Sequence, residues 1–353
     1  MKLVVRIKLL PDRDQKRTLL AYMKSFNEAA SHAAREGLEN RVFSQPLIHK
    51  LCYYSLRNIY KISSQTAIRA IGKAVNCFSR DKTKAPIFKP LGSVTYDERT
   101  FSFKGSKISL LSLSGRLLIP YAMSSYLSEK LHTLKGQANL VCRNNQFYLH
   151  CISNVFEPPV TKTDKFLGVD FGIVNLATDS LGEVFSGESI ERHRQRHEAT
   201  RRTFQSRGTK SAKRRLKKIS GKQTRYQQHA NHAISKQIVA KAKTLGLGIA
   251  IEDLTSIRER VTVRRKQRSR YENWSFFRLR QYLTYKACLN GILLVVVDPR
   301  NTSRTCAECK YCDKGNRKIQ DCFLCKSCGH TDNADHNAAR NIAARGAINH
   351  PHK

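Results

Sequence analysis

The chain opens on strict alternation. Within residues 2–10, Leu3, Val5, Ile7 and Leu9 fall on one face and Lys2, Arg6 and Lys8 on the other, the period-2 pattern of a half-buried strand. The period then lengthens. Asp12 and Gln15, just after Pro11, have capping-box spacing, and from there to about Arg80 the apolar residues recur at helical intervals. Leu19, Met23, Phe26 and Ala30 make one stripe and Ile68, Ile71, Val75 and Phe78 another, which predicts a small helical bundle with these stripes in its core. Pro86 and Pro90 end that pattern. Between Val94 and Ile152 short β runs follow, among them Thr100–Phe103, Lys107–Leu110 and Gln146–Leu149, with turns at Ser114-Gly115-Arg116 and Asn144-Asn145. Pairing of the opening strand with these runs predicts a β-barrel with the helical module inserted into it. Glu157-Pro158-Pro159 begins a linker that reaches about Lys165.

Beyond the linker the strands become buried in type. Phe166–Asp170, Gly248–Glu252 and Ile292–Val297 are short apolar runs, and the first two end in an acid. A helix carrying Tyr226, Ala230, Ile234, Ile238 and Ala242 on one face, stopped by Gly246, lies between the first two. Strands alternating with helices predict an α/β domain.

Charge changes the picture more than length does. The chain has 353 residues, room for two or three domains, and 64 Lys and Arg stand against 27 Asp and Glu, a formal net charge of +37. Such an excess repels itself in a compact fold, and its use is a polyanionic partner, which means nucleic acid. Residues 192–225 hold fourteen Lys or Arg against the single acid Glu198, and residues 258–270 hold seven against Glu259. Arg192, Arg194, Arg201, Arg202, Arg214, Arg215, Arg258, Arg260, Arg264 and Arg265 are the candidate phosphate contacts. His193 and His197 sit four apart as many metal pairs do, but Arg192, Arg194 and Arg196 around them would repel a cation, so they are expected to face phosphate. No apolar run approaches the ~18 residues of a spanning helix. Arg6 and Lys8 also interrupt the N-terminal run, so it lacks a signal-peptide core. The expectation is an intracellular, nucleoid-associated protein of prokaryotic type, with reduced thiols.

Acids and thiols carry the chemistry. Asp170 and Glu252 end strands, and Asp335 opens the helix that includes Asn337-Ala338-Ala339-Arg340-Asn341. Carboxylates gathered from separate elements repel one another unless a cation lies between them, and their hard oxygens suit Mg²⁺ or Mn²⁺. Asp253 and Asp298 also follow buried strands and remain alternatives on sequence alone. Cys306-x2-Cys309 and Cys325-x2-Cys328 enclose fifteen residues, the spacing of a structural four-Cys zinc site. Cys312 and Cys322 create overlapping pairs, so a Cys309/Cys312 with Cys322/Cys325 set is the competing arrangement. Cys52, Cys77, Cys142, Cys151 and Cys288 lie in apolar contexts and are expected to be buried.

Taken together, Gly168-Val169-Asp170-Phe171-Gly172, Ile251-Glu252-Asp253-Leu254, Val297-Asp298-Pro299, Thr302-Ser303, the two CxxC pairs with Gly329-His330, and Asp335-x-Asn337-Ala338-Ala339-x-Asn341-Ile342 resemble the TnpB family. These are transposon-encoded relatives of the compact type V CRISPR effectors. The match is dense over 166–345 and one of layout before that.

The resemblance implies an RNA-guided DNA endonuclease that cuts beside a short flanking motif by Mg²⁺-dependent phosphodiester hydrolysis. It implies one guide RNA from the transposon end, double-stranded target DNA and one copy of the chain per RNA. It makes Asp170, Glu252 and Asp335 the catalytic metal ligands, against Asp253 and Asp298, and Cys306, Cys309, Cys325 and Cys328 the ligands of one Zn²⁺. The implied fold is α+β and multidomain. A β-barrel wedge (1–10 and 86–157) holds a helical recognition module (11–85). An RNase-H-like RuvC nuclease domain (158–303 and 331–353) is interrupted by a zinc ribbon (304–330). The alternatives are an RNA-guided protein that binds without cutting and an RNA-independent transposase; the presence of all three acids favours cutting.

Overall fold

The computed structural model describes residues 1–255, 276–319 and 321–349. The chain divides into two compact units, Met1–Phe156 and Glu157–Lys353.

The first unit starts with strand β1 (Lys2–Lys8), whose Val5 and Ile7, followed by Leu9, are buried as the alternation requires. Helix α1 (Arg13–Glu39) begins at the expected capping box: the Asp12 side chain accepts the Gln15 N–H, and the Gln15 side chain accepts the Asp12 N–H. Helices α2 (Gln45–Tyr60) and α3 (Ser64–Phe78) complete the helical module.

The stripe Leu19, Met23, Phe26 and Ala30 is fully buried. On α3 the buried face is rotated from the expected one. Ala67, Ala70, Ile71, Ala74 and Phe78 face inward, while Ile68 and Val75 are half-buried. Small alanines on both helices, Ala29, Ala30, Ala33 and Ala34 on α1 among them, let the backbones approach, and that closeness outweighs the larger side chains.

Strands β2 (Val94–Tyr96), β6 (Leu134–Arg143) and β7 (Gln146–Asn154) join β1 in an antiparallel sheet of order β1-β7-β6-β2. Strands β3 (Phe101–Lys104), β4 (Lys107–Ser112) and β5 (Gly115–Pro120) form a separate antiparallel sheet. A bridge between Leu9 and Tyr121 ties the end of β1 to the end of β5. The short helix α4 (Ser125–Lys130) follows β5.

The second unit is built on one five-stranded sheet. Its strands are β8 (Phe166–Asp170), β9 (Asn175–Asp179), β10 (Val184–Ser186), β11 (Gly248–Glu252) and β12 (Leu294–Val297), in the order β10-β9-β8-β11-β12. β8, β11 and β12 are parallel, and β9 and β10 run antiparallel at the edge. Three helices, α5 (Glu188–Arg207), α6 (Lys210–Ile219) and α7 (Lys222–Thr244), connect β10 to β11. Helix α8 (Phe276–Leu289) precedes β12.

Alternation decides which helix covers which face. Leu167, Val169, Ile249 and Ile251 pack on Ile238 of α7 and Leu279 and Leu283 of α8. Phe166, Ala250, Val295 and Val297 point the other way, toward Ile342 of helix α9 (Ala334–Asn349). Between β12 and α9 lies a cysteine-rich hairpin with strands β13 (Cys322–Leu324) and β14 (Thr331–Asn333). Among the described residues no helix is long and apolar enough to cross a membrane.

Of the isolated cysteines, Cys52 and Cys151 are buried, whereas Cys77, Cys142 and Cys288 are only half-buried.

Candidate active site

The same alternation places the acids. Gly168 pairs with Ala250 across the parallel β8–β11 ladder, so Asp170 and Glu252, two residues further on, share the α9 face at the carboxyl ends of adjacent strands. Neighbouring strands lie about 4.8 Å apart. Helix α9 can lie close here because of one residue. A Cβ on Gly168 would stand 2.0 Å from the Ala339 carbonyl oxygen and 2.5 Å from the Ala343 nitrogen. Backbone therefore touches backbone, and the first turn of α9 brings Asp335 beside the two strand ends.

Asp335 and Glu252 are each oriented by their own neighbours. Asn333 Oδ1 accepts the N–H groups of Asp335 and His336, capping α9. Asn175 Nδ2 donates to Asp335 Oδ2 at 3.1 Å, and Arg317 Nη2 donates to Asp335 Oδ1 at 3.2 Å. The Thr302 hydroxyl donates to Glu252 Oε1. Thr302 is fixed in turn by α9: Asn341 Nδ2 donates to the Thr302 and Thr305 carbonyls, and Asn337 Nδ2 donates to Thr305 while its Oδ1 accepts the Ala307 N–H. The Asn337-x3-Asn341 spacing, one helical turn, is thus a clamp on the segment entering the cysteine hairpin.

A cavity of about 240 Å³ opens at this point, lined by Asp170, Glu252, Thr302, Ser303 and Arg317 among others. Burial, and then the charges of Glu252 and Asp335, push the Asp170 carboxyl well above its ordinary range against the opposing pull of Arg317. Glu252 is also raised, first by burial, with the Thr302 hydrogen bond and the charges of Arg345 and Arg317 acting the other way. The protein thus supplies less positive charge around Asp170 and Glu252 than that pair of carboxylates needs.

Asp253 and Asp298 are placed differently. Asp253 reaches the cavity rim, but its carboxylate accepts from the Thr255 hydroxyl and from Arg280 at 2.9 Å, and these bonds hold its proton affinity below the usual range. Asp298 is exposed and accepts the Arg300 N–H in a turn. Arg317 escaped the sequence reading. It sits between the two CxxC pairs, where only its lodging against Asp335 distinguishes it from the neighbouring lysines.

The four outer cysteines converge. Their sulfurs all lie within 4.8 Å of one another, with Cys306 and Cys328 at 3.7 Å and Cys309 and Cys325 at 3.5 Å. Four thiolates at about 2.3 Å from one Zn²⁺ would stand roughly 3.8 Å apart, so the set fits that ion. Each pair sits on a tight turn: Cys306 N–H bonds the Tyr311 carbonyl, and Cys325 N–H bonds the His330 carbonyl. Cys312 is exposed in a bridge to Thr305, and the Cys322 sulfur faces the Phe323 carbonyl; neither joins the cluster.

The basic segment forms α5 and α6. Arg201, Arg202, Arg214 and Arg215 are exposed there, and Arg192 lies 3.4 Å from Glu188. Arg194 is spent differently. It is 12% exposed and held between Glu191 and Glu198, each at 2.6 Å. His193 and His197 do not project into solvent as expected. They are half-buried, with the His193 ring stacked on Tyr226 of α7 at 4.2 Å. The expectation missed this because helical spacing does not show which face a second helix covers. Arg258, Arg260, Arg264 and Arg265 lie outside the described residues.

Comparison with known proteins agrees with this layout. Residues 148–258 match the family described as "Probable transposase", and residues 276–342 match the "Cas12f1-like, TNB domain" family. A TnpB-like protein of Methanocaldococcus jannaschii is 34% identical over 116 residues, 32% of this chain and 40% of that one. Over that stretch the chain is similar to a TnpB-like protein. The CRISPR-associated endodeoxyribonuclease Cas12f1 of Sulfoacidibacillus thermotolerans is 37% identical over 222 residues, 57% of this chain. The chain spans 50% of that relative's length. In three dimensions it is similar to Cas12f1 solved with its single-guide RNA and target DNA, with a TM-score of 0.65 at 12% identity over 94% of this chain and 83% of that one. The likeness to Cas12f1 thus extends, at the level of fold, over nearly the whole chain.

Proposed function

We propose that this chain is an RNA-guided DNA endonuclease and that Asp170, Glu252 and Asp335 are its catalytic metal ligands. The reading is carried by the gathering of three carboxylates from separate elements: Asp170 and Glu252 line one cavity, and Asp335 lies near enough that its charge helps to raise the Asp170 carboxyl. Hard oxygen donors with excess negative charge fit Mg²⁺ or Mn²⁺. Bound between them, such ions supply Lewis-acid activation of water and charge neutralisation at the leaving 3′ oxygen.

In the hydrolysis a water oxygen bonds to phosphorus, the P–O3′ bond breaks, and the 3′ oxygen leaves with a proton. Thr302 and Asn175 hold Glu252 and Asp335 in position, and Arg317 offers positive charge to the entering phosphate. Exposed Arg201, Arg202, Arg214 and Arg215 serve the backbones of RNA and DNA.

We read the second unit as a RuvC-like, RNase-H-type nuclease domain (158–303 and 331–353) carrying a zinc ribbon (304–330) held by Cys306, Cys309, Cys325 and Cys328. The first unit is read as a barrel-like wedge (1–10 and 86–157) around the recognition helices (11–85). The relative named as an endodeoxyribonuclease, and the fold shared with Cas12f1 solved with single-guide RNA and target DNA, support the partners: a guide RNA and double-stranded DNA.

The test is to express the protein with its native downstream DNA, sequence the co-purified RNA, and challenge the complex with a plasmid library of randomised flanks in Mg²⁺. A defined RNA and cutting beside one enriched flank are expected, with cutting lost and RNA retained in Asp170→Ala, Glu252→Ala and Asp335→Ala. Binding without cutting by the wild type would exclude the nuclease reading. Absence of a defined RNA would exclude guidance.

A further inference from the structure

Helix α2 turns Ile48, Cys52 and Leu56 into the core of the first unit and leaves its opposite face uncovered. That face reads Leu47, Lys50, Leu51, Tyr54 and Arg57, a stripe at i, i+3, i+4, i+7 and i+10, with Lys61 just past the helix end, every one of them exposed. Tyr54 is 74% exposed, and Leu47 and Leu51 are 49% and 44% exposed. Scattered apolar side chains on a surface are ordinary, but a stripe of them is not. The helix contains no acidic residue.

Its aromatic rings are already arranged. His49 and Tyr53 stack at 4.3 Å and 23°, Tyr53 meets Tyr54 edge-on at 5.1 Å, and the Arg57 guanidinium lies 5.6 Å from the Tyr53 ring centre. Ordered rings lose little freedom when a further flat group is laid on them. We infer that the outer face of α2 is a stacking platform for the unpaired bases of a single-stranded nucleic acid.

The composition selects this occupant. Bases stack on any aromatic face without regard to sequence, and cations alongside follow the phosphates. With Lys61 the stripe spans roughly 20 Å at 1.5 Å per residue, room for a few nucleotides. A second copy of the chain docked through this face would bring two cationic helix faces together with no acidic residue on α2 to pair them. A membrane surface would need the apolar stripe unbroken, and Lys50 and Arg57 interrupt it. The platform belongs to the first unit and the acid cluster to the second, so the failure of one leaves the reading of the other standing.

The test is photocrosslinking of short single strands carrying 5-iodouracil, as DNA and as RNA, followed by peptide mapping. Crosslinks are expected at Tyr53 or Tyr54. Tyr54→Ala should lower their yield about tenfold at limiting strand, while Tyr54→Phe keeps it. The polymer that gives the higher yield identifies the strand. Since Tyr54 points into solvent, its truncation should leave the melting temperature unchanged, and that is measured alongside. Crosslinks confined to other peptides, or equal labelling of α2 by fully duplex DNA, would overturn the inference. So would sedimentation showing that Tyr54→Ala turns a nucleic-acid-free dimer into a monomer, or Tyr54-dependent binding to anionic vesicles.

Discussion

The second unit gathers candidate metal ligands twice, by opposite means. The three carboxylates are carried by elements whose cores exist without them: buried strands β8 and β11, and α9 laid against Gly168. The four thiols are carried by two turns around a small core that, among the described residues, comprises Cys306, Phe323, Cys325 and Ala334. Half of that core is made of the ligands themselves. On the proposed reading, the difference separates a scaffold that holds ligands ready for an ion from one that needs an ion to be a scaffold. Both follow from how much apolar surface surrounds the ligands.

The largest expected effect lies on the thiol side. Structural zinc in small ribbons contributes about 10–16 kcal/mol. Cys325→Ser should therefore unfold the hairpin, with zinc content by elemental analysis falling from one ion per chain to near none. Normal zinc in that variant would mean Cys312 or Cys322 completes the set, and the contrast between the two clusters would blur. Asn337 and Asn341 clamp the entry to the hairpin, so cleavage should fall as well.

The carboxylate side should behave in reverse. Asp170→Asn removes one of three mutually repelling groups, so the metal-free protein should melt higher than wild type, while cleavage drops roughly a thousandfold or more with the lost charge stabilisation. Added Mg²⁺ should raise the melting temperature of the wild type and leave the variant's nearly unchanged. A variant that melts lower in the absence of metal would show that Asp170 also supports the scaffold, against the division drawn above.

A smaller change sharpens the point. Thr302→Val removes the hydroxyl that orients Glu252, worth about 1.5–3 kcal/mol as a hydrogen bond to a charged group. Cleavage should slow without loss of zinc. If zinc is lost too, the clamp transmits between the clusters more strongly than the geometry implies.

The two clusters also differed in how well the sequence announced them. The CxxC pairs are local, and their spacing carries nearly the whole signal. Asp170 and Glu252 stood out because period-2 alternation ends in a charge, but pairing them with Asp335 from separate parts of the chain rested on resemblance. Arg317 gave no signal, since nothing local distinguishes an arginine lodged against a carboxylate from one in solvent. The rotated face of α3 was hidden because alanine is weakly apolar, and its value appears only when two helices close on each other. Arg194 looked like its neighbours until the flanking Glu191 and Glu198 proved to hold it. The Asp12 and Gln15 cap, by contrast, was fully local and appeared as expected.

One junction sets how freely such a chain could be rebuilt. Strand β14 ends at Asn333 and α9 begins at Ala334, with the cap supplied by that same Asn333. There is no slack between hairpin and helix. One inserted residue there would turn everything after it by about 100° around the helix axis, carrying Asp335 away from Asp170 while leaving every cysteine in place. Loops inside the hairpin can lengthen or shorten at little cost, so the segment is exchangeable as a cassette only if its final residue is kept in phase with the helix.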